Sequence, residues 1–330
     1  MSVARARPGY RRLAALAVGF ALVVVVFGAF VRLSNAGLSC PDWPTCYGRL
    51  TWPEHEAEIA SANQAFPERP VESGKAWREQ VHRFLAGGLI VATFALAAWS
   101  WRRRREPGHP WKVPLAAALL IVFQALLGMW TVTWKLKPIV VMAHLLGGMA
   151  TFALLVWTFA RARGAPRQAA SRALAPLIAI GLALLVLQLA LGGWTSSNYA
   201  AFACGTDFPK CLDRWWPATD FREAFVLWRG IGVDYEGGVL DGPARVAIQL
   251  AHRMFAVVLA AYLLVLGHRC LRTPAWRAQG ATLLALLVLQ LALGVANVMA
   301  GLPLWIAVLH NGVAALLLAT LVAMLARARA

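Results

Sequence analysis

Residues 114–134 read PLAAALLIVFQALLGMWTVTW, twenty-one positions without a charge. A run of about 20 apolar residues, each rising 1.5 Å, crosses the ~30 Å hydrocarbon core of a bilayer as one helix. Seven further predominantly apolar runs occur, at 13–31, 82–101, 139–160, 173–195, 246–267, 280–299 and 304–325. The chain is 60% hydrophobic and 14% charged, which leaves too little charge to cover a soluble domain. The predicted fold is therefore all-α and integral to a membrane, with eight transmembrane helices. The first run follows a basic start, but at nearly 20 residues it exceeds the apolar core of a signal peptide and reads as a retained helix.

The opening stretch also occurs twice. Gln124-Ala-Leu-Leu-Gly128 in the third run matches Gln290-Leu-Ala-Leu-Gly294 in the seventh, and twenty residues after each glutamine stands a histidine, His144 or His310. In the second and sixth runs, Val81-His82-Arg83-Phe84 matches Ala251-His252-Arg253-Met254. A cysteine pair follows the first run and another follows the fifth, spaced CX5C and CX6C. Four ordered matches at offsets of 164 to 170 define an internal repeat. The predicted halves are 1–165 and 166–330. Each has an even number of helices, so both keep one orientation. They are expected to form two tandem four-helix bundles related by a pseudo-twofold axis along the membrane normal.

The formal net charge of +17 raises nucleic-acid binding, which its distribution excludes. With a cytoplasmic N-terminus, the inner segments carry Arg5, Arg7, Arg11, Arg12, Arg102 to Arg105, Lys112, Arg161, Arg163, Arg167, Arg172, Arg269, Arg272, Arg277, Arg327 and Arg329 against a single acid, Glu106. Basic and acidic residues balance elsewhere, so the whole excess lies on one face. This is the positive-inside pattern, with both termini cytoplasmic. Cys40 and Cys46 fall in the outer segment 32–80, Cys204 and Cys211 in the outer segment 196–245, and Cys270 on the inner side. Outside a bacterial inner membrane local pairs can oxidise, whereas Cys270 is expected to stay reduced.

Of seven histidines, His55, His109 and His268 lie in loops or at the basic face and receive no role. The other four are the repeated ones. Ionisable residues inside a membrane are costly and face a bundle interior with a partner. His144 follows Pro138 by six residues and His310 follows Pro303 by seven, about 10 Å below the outer end of each helix. His82 and His252 are expected near the outer starts of theirs. Two imidazoles per half at similar depth suit the two axial positions of a haem. Zinc or copper would want three or four converging ligands, and ordinary core histidines explain one half better than both. Gly87, Gly88, Gly147, Gly148 and Gly312 follow the histidines closely, either to admit a porphyrin face or to pack helices. Arg83 and Arg253 directly follow a histidine, and a guanidinium binds a haem propionate well. The alternative is an arginine snorkelling to the interface.

The repeat breaks at one chemically important place. Three residues before His82 stands Glu79, and three before His252 stands Gln249. Positions i and i+3 share a helix face, so Glu79 is expected to lean toward the cofactor bound by His82, where a carboxylate can hold or relay protons and a glutamine cannot. A solvated interface glutamate is the alternative. Arg32 is a second asymmetry, since its counterpart region reads Ser196-Ser197.

Glu79-x-x-His82-Arg83, the later His144, the pair His252-Arg253 and His310, and a cysteine pair in each long outer loop together resemble the haem A synthase family over essentially the whole chain. The resemblance implies oxidation of the C8 methyl group of haem O, through an alcohol and a gem-diol, to the formyl group of haem A for cytochrome oxidase. It implies haem b as cofactor on His252 and His310. Haem O as substrate falls between His82 and His144, with Glu79 as the acidic catalytic residue and Arg32, Arg83 and Arg253 as candidate propionate contacts. It pairs Cys40 with Cys46 and Cys204 with Cys211, although some members lack these cysteines. Expected partners are the bilayer, haem O synthase, the cytochrome oxidase assembly machinery and, as an option, a second copy of the chain. The expected location is a bacterial inner membrane with haem sites toward the outer face. Two rivals are a diheme b-type cytochrome, which gives no reason for Glu79, and a haem transporter, which needs a path to both faces.

Overall fold

Every apolar run forms one long helix in the computed structural model, which describes residues 6–106, 109–164 and 169–329, with side chains throughout except at 169–172. The spanning helices are α1 (Pro8–Leu33), α3 (Ser73–Arg102), α4 (Lys112–Thr133), α5 (Pro138–Arg163), α6 (Ala169–Ser197), α8 (Gly242–Leu271), α9 (Arg277–Met299) and α10 (Leu304–Ala328). Two short helices, α2 (Glu56–Ala65) and α7 (Phe221–Ala224), lie in the long loops after α1 and α6. All eight long helices have the length and hydropathy of membrane spans. The expected boundary at 165–166, Arg5 and Arg167 lie outside the described residues, as does the Arg172 side chain.

Within the first half α1 touches α3 and α5, and α4 touches α3 and α5. Within the second half α6 touches α8 and α10, and α9 touches α8 and α10. Each half thus closes a ring of four helices. Across the seam α1 meets α10, α6 meets α5, and α5 meets α10. An apolar core of alanine, leucine and valine side chains runs through the seam, including Ala14, Ala21, Leu155, Leu263 and Leu318.

The helices bearing His82 and His252 begin earlier than hydropathy predicts. His82 is nine residues into α3 and His252 ten into α8, so both stand in the third turn, not at the outer start as expected. The polar turns before them are covered by protein: Glu79, Gln80 and Gln249 are buried under the long loops after α1 and α6. Hydropathy registers only lipid-facing apolarity, and these turns are buried by folded loop.

The two long loops after α1 and α6 repeat each other in detail. Cis peptide bonds occur at Trp43–Pro44 and Phe208–Pro209. Backbone bridges join Cys46 to Arg49 and Cys211 to Arg214. Asp42 accepts the N–H of Gly48 at 2.8 Å, and Asp207 accepts that of Asp213 at 2.8 Å. The Tyr47 hydroxyl donates to the carbonyls of Arg69 and Pro70 at 3.1 and 3.3 Å, and burial pushes its pKa up to about 12, so it remains a donor. The loops also hold the halves together. Arg69 pairs with Asp234 at 2.8 Å and Glu236 at 2.5 Å, the Tyr235 N–H donates to the Lys135 carbonyl at 3.1 Å, and Lys137 Nζ lies 3.3 Å from the Trp228 ring centre.

Candidate haem sites

The four repeated histidines fall in pairs across the two rings: His82 on α3 with His144 on α5, and His252 on α8 with His310 on α10. Each ring rests against a glycine of a neighbouring helix. A Cβ added at Gly128, Gly192 or Gly294 would stand 3.2 Å from Cε1 of His144, His252 or His310, and one at Gly28 would stand 2.8 Å from Cε1 of His82. A side chain at any of these positions would push the imidazole aside, so the glycines act as seats for the rings. Four of the five glycines that follow the histidines meet other side chains, and the fifth, Gly87, has nothing within 4 Å of an added Cβ. Gly147 and Gly148 make room for the Gln124 side chain, Gly88 faces Phe20, and Gly312 faces Val26. For these the packing alternative holds.

Four residues before three of the seats stands a glutamine, one helical turn away on the same face. Gln124 Nε2 lies 3.0 Å from His144 Nδ1, Gln188 Nε2 lies 3.1 Å from His252 Nδ1, and Gln290 Nε2 lies 3.1 Å from His310 Nε2. All three glutamine Oε1 atoms are buried without a partner among the described residues. Gln124 Nε2 also donates to the His144 carbonyl at 2.5 Å and Gln188 Nε2 to the His252 carbonyl at 3.2 Å, so each glutamine ties one ring nitrogen of its histidine, and these two hold the histidine's backbone as well. The sequence comparison of the third and seventh runs found Gln124 and Gln290 but missed Gln188 and the seats Gly28 and Gly192. Searching every span for Gln-x-x-x-Gly would have found Gln188-Leu-Ala-Leu-Gly192.

Glu79 and Gln249 occupy matching places. Glu79 Oε2 accepts from the Cys40 N–H and the Ser39 hydroxyl, each at 3.0 Å, while Oε1 pairs with Arg83 Nη2 at 2.6 Å. Gln249 Oε1 accepts from the Cys204 N–H at 2.7 Å, and its Nε2 donates to the Ala201 carbonyl at 2.9 Å. The arginines then diverge. Arg83 Nη1 also donates to the carbonyls of Asp42 and Thr45 at 2.9 and 2.5 Å. Arg253 Nη1 reaches the Lys210 carbonyl at 2.9 Å, but its Nε and Nη2 are buried without a partner among the described residues. Arg32 turns across the seam: Nη2 donates to the carbonyl of Ser196, its counterpart in the repeat, at 2.6 Å, and the guanidinium lies 4.4 Å from the Tyr199 ring centre.

Disulfides join Cys40 to Cys46 and Cys204 to Cys211, while Cys270 is a buried thiol. Among the described residues no three or more His, Cys, Asp or Glu side chains gather as a metal cage. Two imidazoles per half, all four seated on glycine and three of them beside a glutamine with an orphaned amide oxygen, together with a second-half guanidinium that has two unpaired nitrogens among the described residues, form a donor set that suits an iron porphyrin with carboxylate side chains.

The family model for cytochrome oxidase assembly proteins of the COX15-CtaA type matches residues 11–322. The chain belongs to this family. It is 46% identical to a Heme A synthase of Shewanella oneidensis, covering 92% of each chain. It is 31% identical to a Heme A synthase of Caulobacter vibrioides, over 95% of this chain and 93% of the relative. A third Heme A synthase, from Rhizorhabdus wittichii, is 29% identical over 92% of this chain and 88% of its own length. The COX15-CtaA match embraces all eight spans, both disulfide loops and all four seated histidines.

Proposed function

We propose that the chain is a haem A synthase, an oxidoreductase that converts the C8 methyl group of haem O into the formyl group of haem A. The observation that carries this reading is a pair of alike histidine sites made unlike at Glu79 and Gln249, in a chain 46% identical to a Heme A synthase. A diheme electron carrier has no need of that difference.

In this reading His82 and His144 receive haem O, and His252 and His310 hold a resident haem b. The resident haem supplies electron transfer when bound. The protein positions the rings, keeps the outer rim dry under two disulfide loops, and manages protons at Glu79. Glu79 holds or passes a proton at its carboxylate, and the Arg83 guanidinium stabilises the anionic form between transfers. Arg253, with two unpaired donors, contacts a propionate of the resident haem. Arg83 and Arg32 have other partners in hand, so their propionate contacts would share donors already in use. The same reading has both termini in the cytoplasm of a bacterium, the sites toward the outer face of its inner membrane, and the halves 1–165 and 166–330 related by a twofold axis along the membrane normal. Haem O synthase and the oxidase assembly machinery are its neighbours in the process.

The deciding experiment is co-expression with a haem O synthase in a host that makes no haem A, followed by pigment extraction and mass spectrometry. Haem A is the expected product. Extracts holding only haem B and haem O overturn the proposal.

A further inference from the structure

Three of the four histidine seats follow one pattern, Gln-x-x-x-Gly: Gln124 with Gly128, Gln188 with Gly192, and Gln290 with Gly294. The fourth seat, on α1, reads Val24-Val25-Val26-Phe27-Gly28. Gly28 meets the His82 ring as its counterparts meet theirs, so α1 and α3 stand in the matching relation. Val24, one turn before Gly28, falls where the glutamine stands elsewhere, and it is buried. His82 Nδ1 is accordingly buried with no hydrogen-bond partner. What orients the ring is apolar contact: Gly28 against Cε1, and Phe27 stacked at 6.3 Å between centroids with the planes 21° apart.

An imidazole that binds iron through one nitrogen is held in a fixed orientation when a neighbouring polar group ties the other, and loss of such outer support costs about 10- to 100-fold in metal affinity. Both ligands of the second half, His252 and His310, have this support. In the first half only His144 has it. We infer that His82 is the yielding ligand of the substrate site: His144, steadied by Gln124, retains the haem, while His82, with valine where glutamine would be, lets go. The inference rests on the proposed haem-binding role and assigns Gln124, Gln188 and Gln290 as positioning residues that separate permanent ligation from exchangeable ligation. Two equally supported ligands would hold haem O as firmly as a resident cofactor. One weak ligand opens an iron position and shortens the stay of the product.

The test uses the full-length protein, purified with its resident haem and titrated with ferric haem O, with difference spectra reporting the added haem alone. His144→Ala is expected to weaken binding at least tenfold more than His82→Ala. Val24→Gln is expected to convert the added haem to a fully low-spin spectrum and to slow its transfer to an apo-globin acceptor by about tenfold or more. Gln124→Val should speed that transfer. A purely structural role for these side chains would change yield without moving the spin state. Equal losses for His82→Ala and His144→Ala overturn the inference even if Val24→Gln fails to fold. An unchanged spin state and release rate in a folded Val24→Gln overturn it as well. If added haem O binds to no form of the protein, the proposed function falls with it.

Discussion

Glu79 and Gln249 hold the same post with different chemistry: each accepts the backbone N–H of the first cysteine in its disulfide loop, at 3.0 and 2.7 Å. The second half therefore already demonstrates that a glutamine can dock this loop. Glu79→Gln should fold, keep both disulfides and retain resident haem, yet lose the proton-holding group. Extracted pigment is expected to stop at haem O or its alcohol, and normal haem A from this variant would remove Glu79 from the chemistry. Glu79→Ala is a harsher change. It removes the carboxylate partner of the buried Arg83 Nη2 and the acceptor of the Cys40 N–H, at about 3–5 kcal/mol, and should lower the thermal midpoint in detergent well below that of Glu79→Gln.

The glycine seats predict a site-selective loss. Gly192→Ala and Gly294→Ala place a methyl group 3.2 Å from a ring carbon of His252 and His310 and should lower resident haem per protein. Gly28→Ala, at 2.8 Å from His82, should spare the resident haem and disturb only added haem O. Gly19, on the same helix as Gly28, has nothing within 4 Å of an added Cβ. Gly19→Ala should be neutral or stabilising by about 0.5–1 kcal/mol, the ordinary helical gain. Pyridine haemochrome assay against protein concentration checks all four.

Arg253 carries two buried, unpaired guanidinium nitrogens. If they bind a propionate, hydrogen bonds to a charged group are at stake, about 1.5–3 kcal/mol. Arg253→Gln should thus weaken retention of the resident haem by about ten- to a hundredfold. Retention equal to that of the parent protein after dialysis against an apo-globin would exclude the contact.

Reduction of the two disulfides should have different consequences. Each closes a loop of six or seven residues, for which chain entropy gives about 2 kcal/mol of stabilisation. The first loop docks on Glu79 and the second on Gln249. Cys40→Ala with Cys46→Ala should therefore depress haem A formation with resident haem intact. Cys204→Ala with Cys211→Ala should loosen the resident haem. Haem content and extracted pigment, measured together, distinguish the two.

Much of this architecture was legible in the sequence because its signals are long or repeated. Eight apolar runs give eight helices, and the doubled histidines identify the pairs. The N-terminal ends of α3 and α8 were not legible. Ser73 to Val81 and Gly242 to Arg245 lack the apolar run of a span, and the cover that makes them interior comes from loops distant in the chain. The seat at Gly28 was hidden for another reason. Its helix lacks the glutamine that marks the other three, so a search for likeness passes over the position where the difference lies. Glycine beside a histidine in sequence was a poor guide, because the glycine that touches the ring comes from another helix.

The early start of α3 bears on how the protein is assembled. Insertion into the bilayer is decided by the apolar run that follows Arg83, because charges at a helix centre are penalised and charges at its end are tolerated. Glu79 and Arg83 therefore need never cross the lipid interior as a buried pair. They become enclosed when residues 39–47 settle over them. The Glu79–Arg83 pair would thus be enclosed after membrane insertion, and a newly inserted chain would carry its histidines before that pair is covered.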